Sequence, residues 1–202
     1  MNSKRIDKLI KFLKEVEKLK FIERKVYLSD QKSNENDAEH SWHVAMFVMI
    51  FEKEFPDLNV KKMLKMALIH DLVEIYAGDT FTFDKEGRKT KKERECKAAK
   101  KLFGMLPPDL KKEFFSLMEE FEERKTREAV FTQSFDKLLP IVQNILSKGK
   151  AWKEYHVTEK MAYDIKIPYL SFDKKILSIY KKLTAETKEK KYFWKGKNVR
   201  QK

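Results

Sequence analysis

The sequence predicts an all-α protein folded as a single-domain helical bundle. Three observations predict it. The 202 residues include only five Gly and five Pro, so the residues that punctuate strands and turns are scarce. Leu, Met, Lys, Glu and Phe are abundant, with 15 Phe and 8 Met. Apolar residues recur at helical spacing over long segments, and no strand-period alternation stands out. A chain of this length buries a sizeable core as one domain.

Seven helices are expected. Ser3 is the N-cap of the first, which carries Ile6, Leu9, Ile10, Leu13, Val16 and Leu19 at helical spacing and ends near Phe21-Ile22. Residues 23–37 are polar and read as loop, with turn formers at Ser29-Asp30 and Ser33 to Asp37. A very apolar second helix runs from Ala38 to Phe55 and stops before Pro56-Asp57. The third spans Val60 to Tyr76, with Met63, Leu64, Ala67 and Leu68 as its core face, and stops at Gly78. Residues 78–90 read as a loop of just over a dozen residues, a length at which loops are often functional. The fourth helix covers Lys91 to Phe103. Pro107-Pro108 opens the fifth, which ends near Arg124. The sixth runs from Thr126 to Leu146, with Pro140 kinking or breaking it just after Asp136. Residues 149–171 look irregular or briefly helical, and a last helix covers Phe172 to Thr187. The division expected is a bundle over 1–187 and a basic C-terminal tail over 188–202.

Composition excludes some functions. No segment has the eighteen or more uncharged apolar residues of a membrane span, and the N-terminus lacks the apolar region of a secretory signal. The single cysteine, Cys96, permits no intramolecular disulfide framework and fits a reducing cytoplasm. The net charge of +13 attracts phosphates. Lysine is spread over the whole chain, as on solvated helix faces, and is densest in the final fifteen residues, which hold seven Lys/Arg against one Glu. That stretch reads as a frayed tail or, less favoured, as a nucleic-acid contact in which Tyr192, Phe193 and Trp194 stack bases.

The chemistry concentrates at His70-Asp71, with Glu74 and Asp79 following within ten residues of the histidine. A histidine closing an apolar helix is commonly a core residue, and an isolated carboxylate commonly lies on the surface. Four such groups crowded after an apolar run are harder to place without a cation, because burying unpaired carboxylates is expensive. His40 lies thirty residues upstream in Asp37-Ala38-Glu39-His40-Ser41-Trp42-His43, where Asp37 or Ser41 would serve as a cap. Asp136 sits among Phe131, Phe135, Leu138, Leu139, Ile141 and Val142 and needs a partner there. His156 reads as a surface residue.

His40, then His70-Asp71, then Asp136 resembles the H…HD…D signature of the HD-domain metal-dependent phosphohydrolases. Ala38-Glu39-His40-Ser41 and the stretch His70 to Asp79 are similar to the corresponding boxes of the YfbR-like 5′-deoxynucleotidase branch. The resemblance covers roughly residues 20–145. It implies an all-α fold, commonly dimeric, and a single divalent transition metal (Mn, Co, Fe, Ni or Zn) on His40, His70, Asp71 and Asp136. It implies that Glu74 handles the leaving-group proton and that Asp79 is a second catalytic carboxylate beside the water. It implies that Arg24, at the end of the first helix, binds the substrate phosphate. An aromatic residue commonly follows that arginine, whereas here Lys25, Val26 and Tyr27 follow, so 2′-deoxy selectivity does not carry over. The expected activity is hydrolysis of nucleoside 5′-monophosphates. The alternatives are an HD phosphohydrolase acting on a triphosphate or cyclic nucleotide, and a nucleotide- or nucleic-acid-binding module without turnover. With only four His in the chain, a dinuclear phosphodiesterase site is disfavoured.

Overall fold

A computed structural model describes residues 2–196. Helices make up most of it. They are α1 (Ser3–Val16), α2 (Asp37–Phe51), α3 (Val60–Ile69), α4 (Glu74–Ala77), α5 (Lys85–Phe103), α6 (Pro108–Glu123), α7 (Arg127–Leu146), α8 (Lys150–Glu154), α9 (Glu159–Leu170) and α10 (Lys174–Glu189). Short 3-10 turns continue α1 over Glu17–Phe21 and α2 over Glu52–Glu54. No described helix is long and apolar enough to cross a membrane. The chain forms two compact units, one of residues 1–24 and 36–132 and one of residues 25–35 and 133–202.

In the first unit α2 packs on α3, α3 on α6, and α4 on α5. The core between them is Phe12, Leu19, Met66, Ile69, Leu72, Val73, Ala98, Leu102, Phe103, Leu117 and Phe121. Edge-on rings reinforce it, with Phe103 centred 5.6 Å from Phe114 and 5.3 Å from Phe115. Asn2, not Ser3, caps α1, its side chain accepting from Lys4 N at 2.9 Å. Ile10 and Leu13, expected in the core, are exposed.

The expected third helix is interrupted. α3 ends at Ile69, and a turn over residues 70–73 separates it from α4. Its buried face is Met63, Met66, Ala67 and Ile69, and Leu68 lies exposed. The loop after Gly78 is also shorter than expected. Asp84 caps α5 by accepting from Glu86 N at 3.1 Å and Gly87 N at 3.0 Å. Gly87, which reads as a turn residue in sequence, therefore lies in the first turn of a helix. Arg94 ties this loop down, donating to the Ala77 carbonyl and, at 2.6 Å, to Thr80 Oγ1.

Two short strands that the sequence pattern does not reveal, β1 (Glu23–Tyr27) and β2 (Asn34–Asn36), pair as a ribbon. The six-residue connection between them is long enough only for an antiparallel pair. Asp30 organises the connection by accepting from Lys32 N at 2.9 Å, Ser33 N at 3.0 Å and Ser33 Oγ at 2.7 Å.

The ribbon tip belongs to the second unit. There Tyr27 donates to Glu154 at 2.7 Å, and Lys150 Nζ lies 3.8 Å from the centre of the Tyr27 ring. α7 passes through Pro140 as one unbroken helix, and Asn144 donates to the Pro140 carbonyl at 2.8 Å. Residues 149–171, expected to be irregular or briefly helical, hold the short helices α8 and α9, the latter capped by Thr158. The described part of the tail is not frayed. Phe193 is buried and stacks on Trp152 at 4.2 Å, and Trp194 N donates to the Val157 carbonyl at 3.1 Å. Gly149, at φ 70°, passes so close to Tyr192 that a Cβ would lie 2.3 Å from its carbonyl oxygen. Residues 197–202 of the expected tail lie outside the described residues.

Candidate metal centre and active site

The start of α2 is built to aim a side chain inward. Asn36 and Glu39 form a reciprocal capping box, each side chain accepting from the other's backbone N–H at 3.0 Å. One turn later His40 is fully buried. The end of α3 supplies the facing groups. His70 is the C-cap of α3, its N–H still bonded to the Met66 carbonyl at 3.0 Å, and the chain turns immediately afterwards. That turn, closed by Glu74 N on the Asp71 carbonyl at 2.9 Å, changes the direction in which Asp71 and Glu74 project.

His40, His70 and Asp71 each offer a ligand atom, and these atoms lie within 4.8 Å of one another. Asp71 Oδ2 is 3.2 Å from His70 Nε2 and 3.9 Å from His40 Nε2. His70 Nδ1 lies 2.9 Å from the Ala67 carbonyl oxygen, which can only accept, so Nδ1 is the donor of that bond and Nε2 is the ring nitrogen on the side of Asp71. Two imidazoles and a carboxylate converging at this spacing fit a divalent first-row metal ion. Asp136 belongs to the second unit. It is buried on α7 and paired with Lys137 Nζ at 2.6 Å.

Around this cluster lie the remaining expected residues of the first unit. Arg24 Nη1 donates to Asp37 Oδ1 at 2.8 Å and to Asp71 Oδ2 at 2.9 Å, and lies 3.7 Å from Asp79 Oδ1. Burial opposes the charge of Arg24, but Asp71, Asp79, Asp37 and Glu74 together outweigh it and raise its pKa. Burial also opposes the charge of Asp71, yet His70, Arg24 and His40 hold its carboxyl well below the usual range. Glu74 goes the other way. Burial first, and then the charges of Asp71, Asp37 and Asp79, push its carboxyl well above the usual value. Gly78, at φ 74° and with open space around its Cα, makes the turn that presents Asp79.

Sequence reasoning missed three residues here. Asp37, read as a possible cap, is fully buried beside Asp71 and Glu74, and burial followed by Asp71 pushes its carboxyl up to about 6. Its spacing of three residues from His40 was the available signal, since such residues share a helix face. Lys91 Nζ lies 3.5 Å from Glu74 Oε1 and 3.1 Å from Glu95 Oε1. The i,i+4 Lys91–Glu95 spacing was visible, but the register that carries Lys91 to Glu74 depends on where α5 begins. His43 lies near the rings of Trp42 and Phe47, and His156 is exposed. Tyr27 is engaged with Glu154 and Lys150 in the second unit.

Comparison with known proteins agrees with this geometry. The HD domain family model matches residues 16–174. The protein named 5′-deoxynucleotidase HDDC2 from Bos taurus is 35% identical over 137 residues, 67% of this chain and 65% of that protein. Its Homo sapiens counterpart is 33% identical over 137 residues, 67% of this chain and 66% of that protein. The matched region thus spans slightly under two thirds of the length of these curated relatives. A crystal structure from Magnetospirillum magnetotacticum MS-1, titled a predicted metal-dependent phosphohydrolase, is 36% identical with a TM-score of 0.87, covering 95% of this chain and 96% of that one. The family match extends over well more than half of the sequence, and the chain belongs to the HD domain family.

Proposed function

We propose that this chain is a metal-dependent phosphomonoesterase that hydrolyses nucleoside or deoxynucleoside 5′-monophosphates to nucleoside and phosphate. The observation that carries the reading is the meeting of His40, His70 and Asp71 beside a buried Glu74 and a half-buried Arg24. The names of the curated relatives, 5′-deoxynucleotidases, support the substrate class.

In this reading His40, His70 and Asp71 hold one divalent ion, with Mn, Co, Fe, Ni and Zn all compatible with mixed N/O ligation. Such an ion, when bound, lowers the pKa of a water and neutralises phosphoryl charge. Arg24 binds the substrate phosphate through its planar guanidinium. Asp79 orients the attacking water. Glu74, whose carboxyl burial and the neighbouring carboxylates push well above its usual range, gives its proton to the departing 5′-oxygen. The raised pKa supports that assignment over a base.

A homodimer in a reducing cytoplasm belongs to the same reading. α2 is apolar nearly all round, with Trp42, Met49 and Ile50 exposed on its outer side, as on a helix that a second copy covers. The nucleic-acid-binding alternative loses support, because Phe193 is stacked on Trp152 rather than presented to solvent.

The test is phosphate release from ribo and deoxy 5′- and 3′-monophosphates by metal-stripped protein resupplied with Mn, Co, Mg or Zn. Metal-dependent release from the 5′ series alone is the expected result, and its ribo/deoxy ratio reads out the effect of Lys25 in place of an aromatic. No release from folded, metal-loaded protein would refute the reading.

A further inference from the structure

We propose that Asp37 is a positioning residue for Arg24. It holds the guanidinium in place for the phosphate when Asp71 is engaged by a metal ion. The inference rests on the phosphomonoesterase reading above and adds a residue to it.

An aspartate at the first position of a helix has a common explanation, which does not apply here. The backbone of α2 is already capped by the Asn36–Glu39 box, and Asp37 N–H is bonded to the Ile22 carbonyl at 3.0 Å. The carboxylate is fully buried, where a helix-dipole contact does not offset desolvation. What its Oδ1 meets is Arg24 Nη1, at 2.8 Å.

Arg24 has three carboxylates around it, and they are not equivalent. Asp71, at 2.9 Å, also faces His40 and His70 and is a ligand of the proposed metal. Asp79, at 3.7 Å, is beyond hydrogen-bond distance. Asp37, outside the proposed ligand set, is a hydrogen-bonded partner of Arg24 that metal loading leaves in place. Bidentate recognition of phosphate depends on a fixed guanidinium plane, and an arginine side chain that is not held spreads over many rotamers. The Arg24 side chain keeps 14% of its surface exposed, so a phosphate can reach it without breaking the Asp37 bond.

The experiment uses manganese-loaded protein and inorganic phosphate as the probe, followed by calorimetry, alongside steady-state kinetics on a 5′-monophosphate. Variants are Asp37→Asn, Asp37→Ser, Arg24→Met and the Asp37→Asn/Arg24→Met double. Manganese content should match wild type in all of them. Phosphate Kd and KM should rise about tenfold in Asp37→Asn, with kcat within about threefold, because uniform binding is lost. The double variant should be no weaker than Arg24→Met alone, the non-additivity expected of one residue acting through another. An additive double variant, an unchanged Kd in both Asp37 variants, or loss of manganese would overturn the proposal. So would failure of both Asp37 variants to fold while Arg24→Met folds, which would assign Asp37 to the fold itself. Absence of phosphate binding by wild type would also overturn it. Non-additive phosphate binding in a protein that turns over no 5′-monophosphate would refute the nucleotidase reading and leave the positioning role standing.

Discussion

His70 Nδ1 sits 2.9 Å from the carbonyl oxygen of Ala67, one turn back in the same helix. The carbonyl can only accept, so Nδ1 donates, and Nε2 is turned toward Asp71, 3.2 Å away. The ligand geometry is thus held by helix backbone rather than by another mobile side chain. His70→Ala and Asp71→Ala should each lower metal affinity by at least ~100-fold, above the 10–100-fold typical of outer partners, and abolish turnover. Metal analysis of purified protein checks this. Near-stoichiometric metal in either variant would remove that residue from the ligand set.

Glu74 should separate from the ligands in kinetics. Glu74→Gln should retain metal and lose roughly 10²–10⁴-fold in kcat with little change in KM, as expected for a proton donor acting in the transition state. The sign of the pH effect follows from its raised pKa. The protonated carboxyl is the active form, so wild-type kcat should fall as pH rises through that pKa, and the alkaline limb should be missing in Glu74→Gln. A pH–rate profile with the same alkaline limb in both proteins would assign the proton donor elsewhere.

His70-Asp71 and Glu74 stand out in the sequence because such groups rarely crowd together after an apolar run, whereas His40 stands out only through the family resemblance. The break after Ile69 was not legible. Leu72, Val73 and Ile75 continue an apolar helical pattern, yet the chain turns there because Leu72 and Val73 are needed in the core beneath α4. The start of α5 was hidden by Gly87, whose missing side chain leaves room for the Asp84 cap. The ribbon of β1 and β2 was hidden by its shortness and by Glu23, Arg24 and Lys25, which give no alternating apolar pattern. Asp37 was missed because its residue type is explained as readily by helix capping. Only the observation that Asn36 already does the capping exposes its other role.

Lys91 is the cation that tempers Glu74 from α5, and Glu95 holds it from the following turn. Burial works against its charge, but Glu74, Glu95 and Asp71 raise its pKa, so it stays protonated. Lys91→Met removes the counter-charge and pushes Glu74 further toward the protonated form. With the Lys91 side chain 37% exposed, solvent screening limits the stability cost to about 1 kcal/mol. For a chain of this size that corresponds to a Tm lower by ~2–4 °C. Lys91→Arg should recover most of it. A Lys91→Met protein as stable as wild type in a thermal melt would show that the two carboxylates are satisfied without it.

The final prediction concerns the C-terminal segment, whose basic composition suggests a solvated tail and whose packing does not. Phe193 covers Trp152 with its ring planes 14° apart, and Tyr192 N–H is bonded to the Thr187 carbonyl at 3.0 Å. Phe193→Ala should cost about 3 kcal/mol, the lower end for a buried phenylalanine because the residue lies near a chain end. At ~2–4 °C per kcal/mol, Tm should fall by roughly 6–12 °C. Removing residues 192–202 should lower Tm by at least as much as Phe193→Ala does. Gly149→Ala should be destabilising as well, because its φ of 70° and the nearby Tyr192 carbonyl both disfavour a Cβ. A Phe193→Ala protein that melts with wild type would mean that the Trp152–Phe193 stack contributes nothing to holding the second unit together.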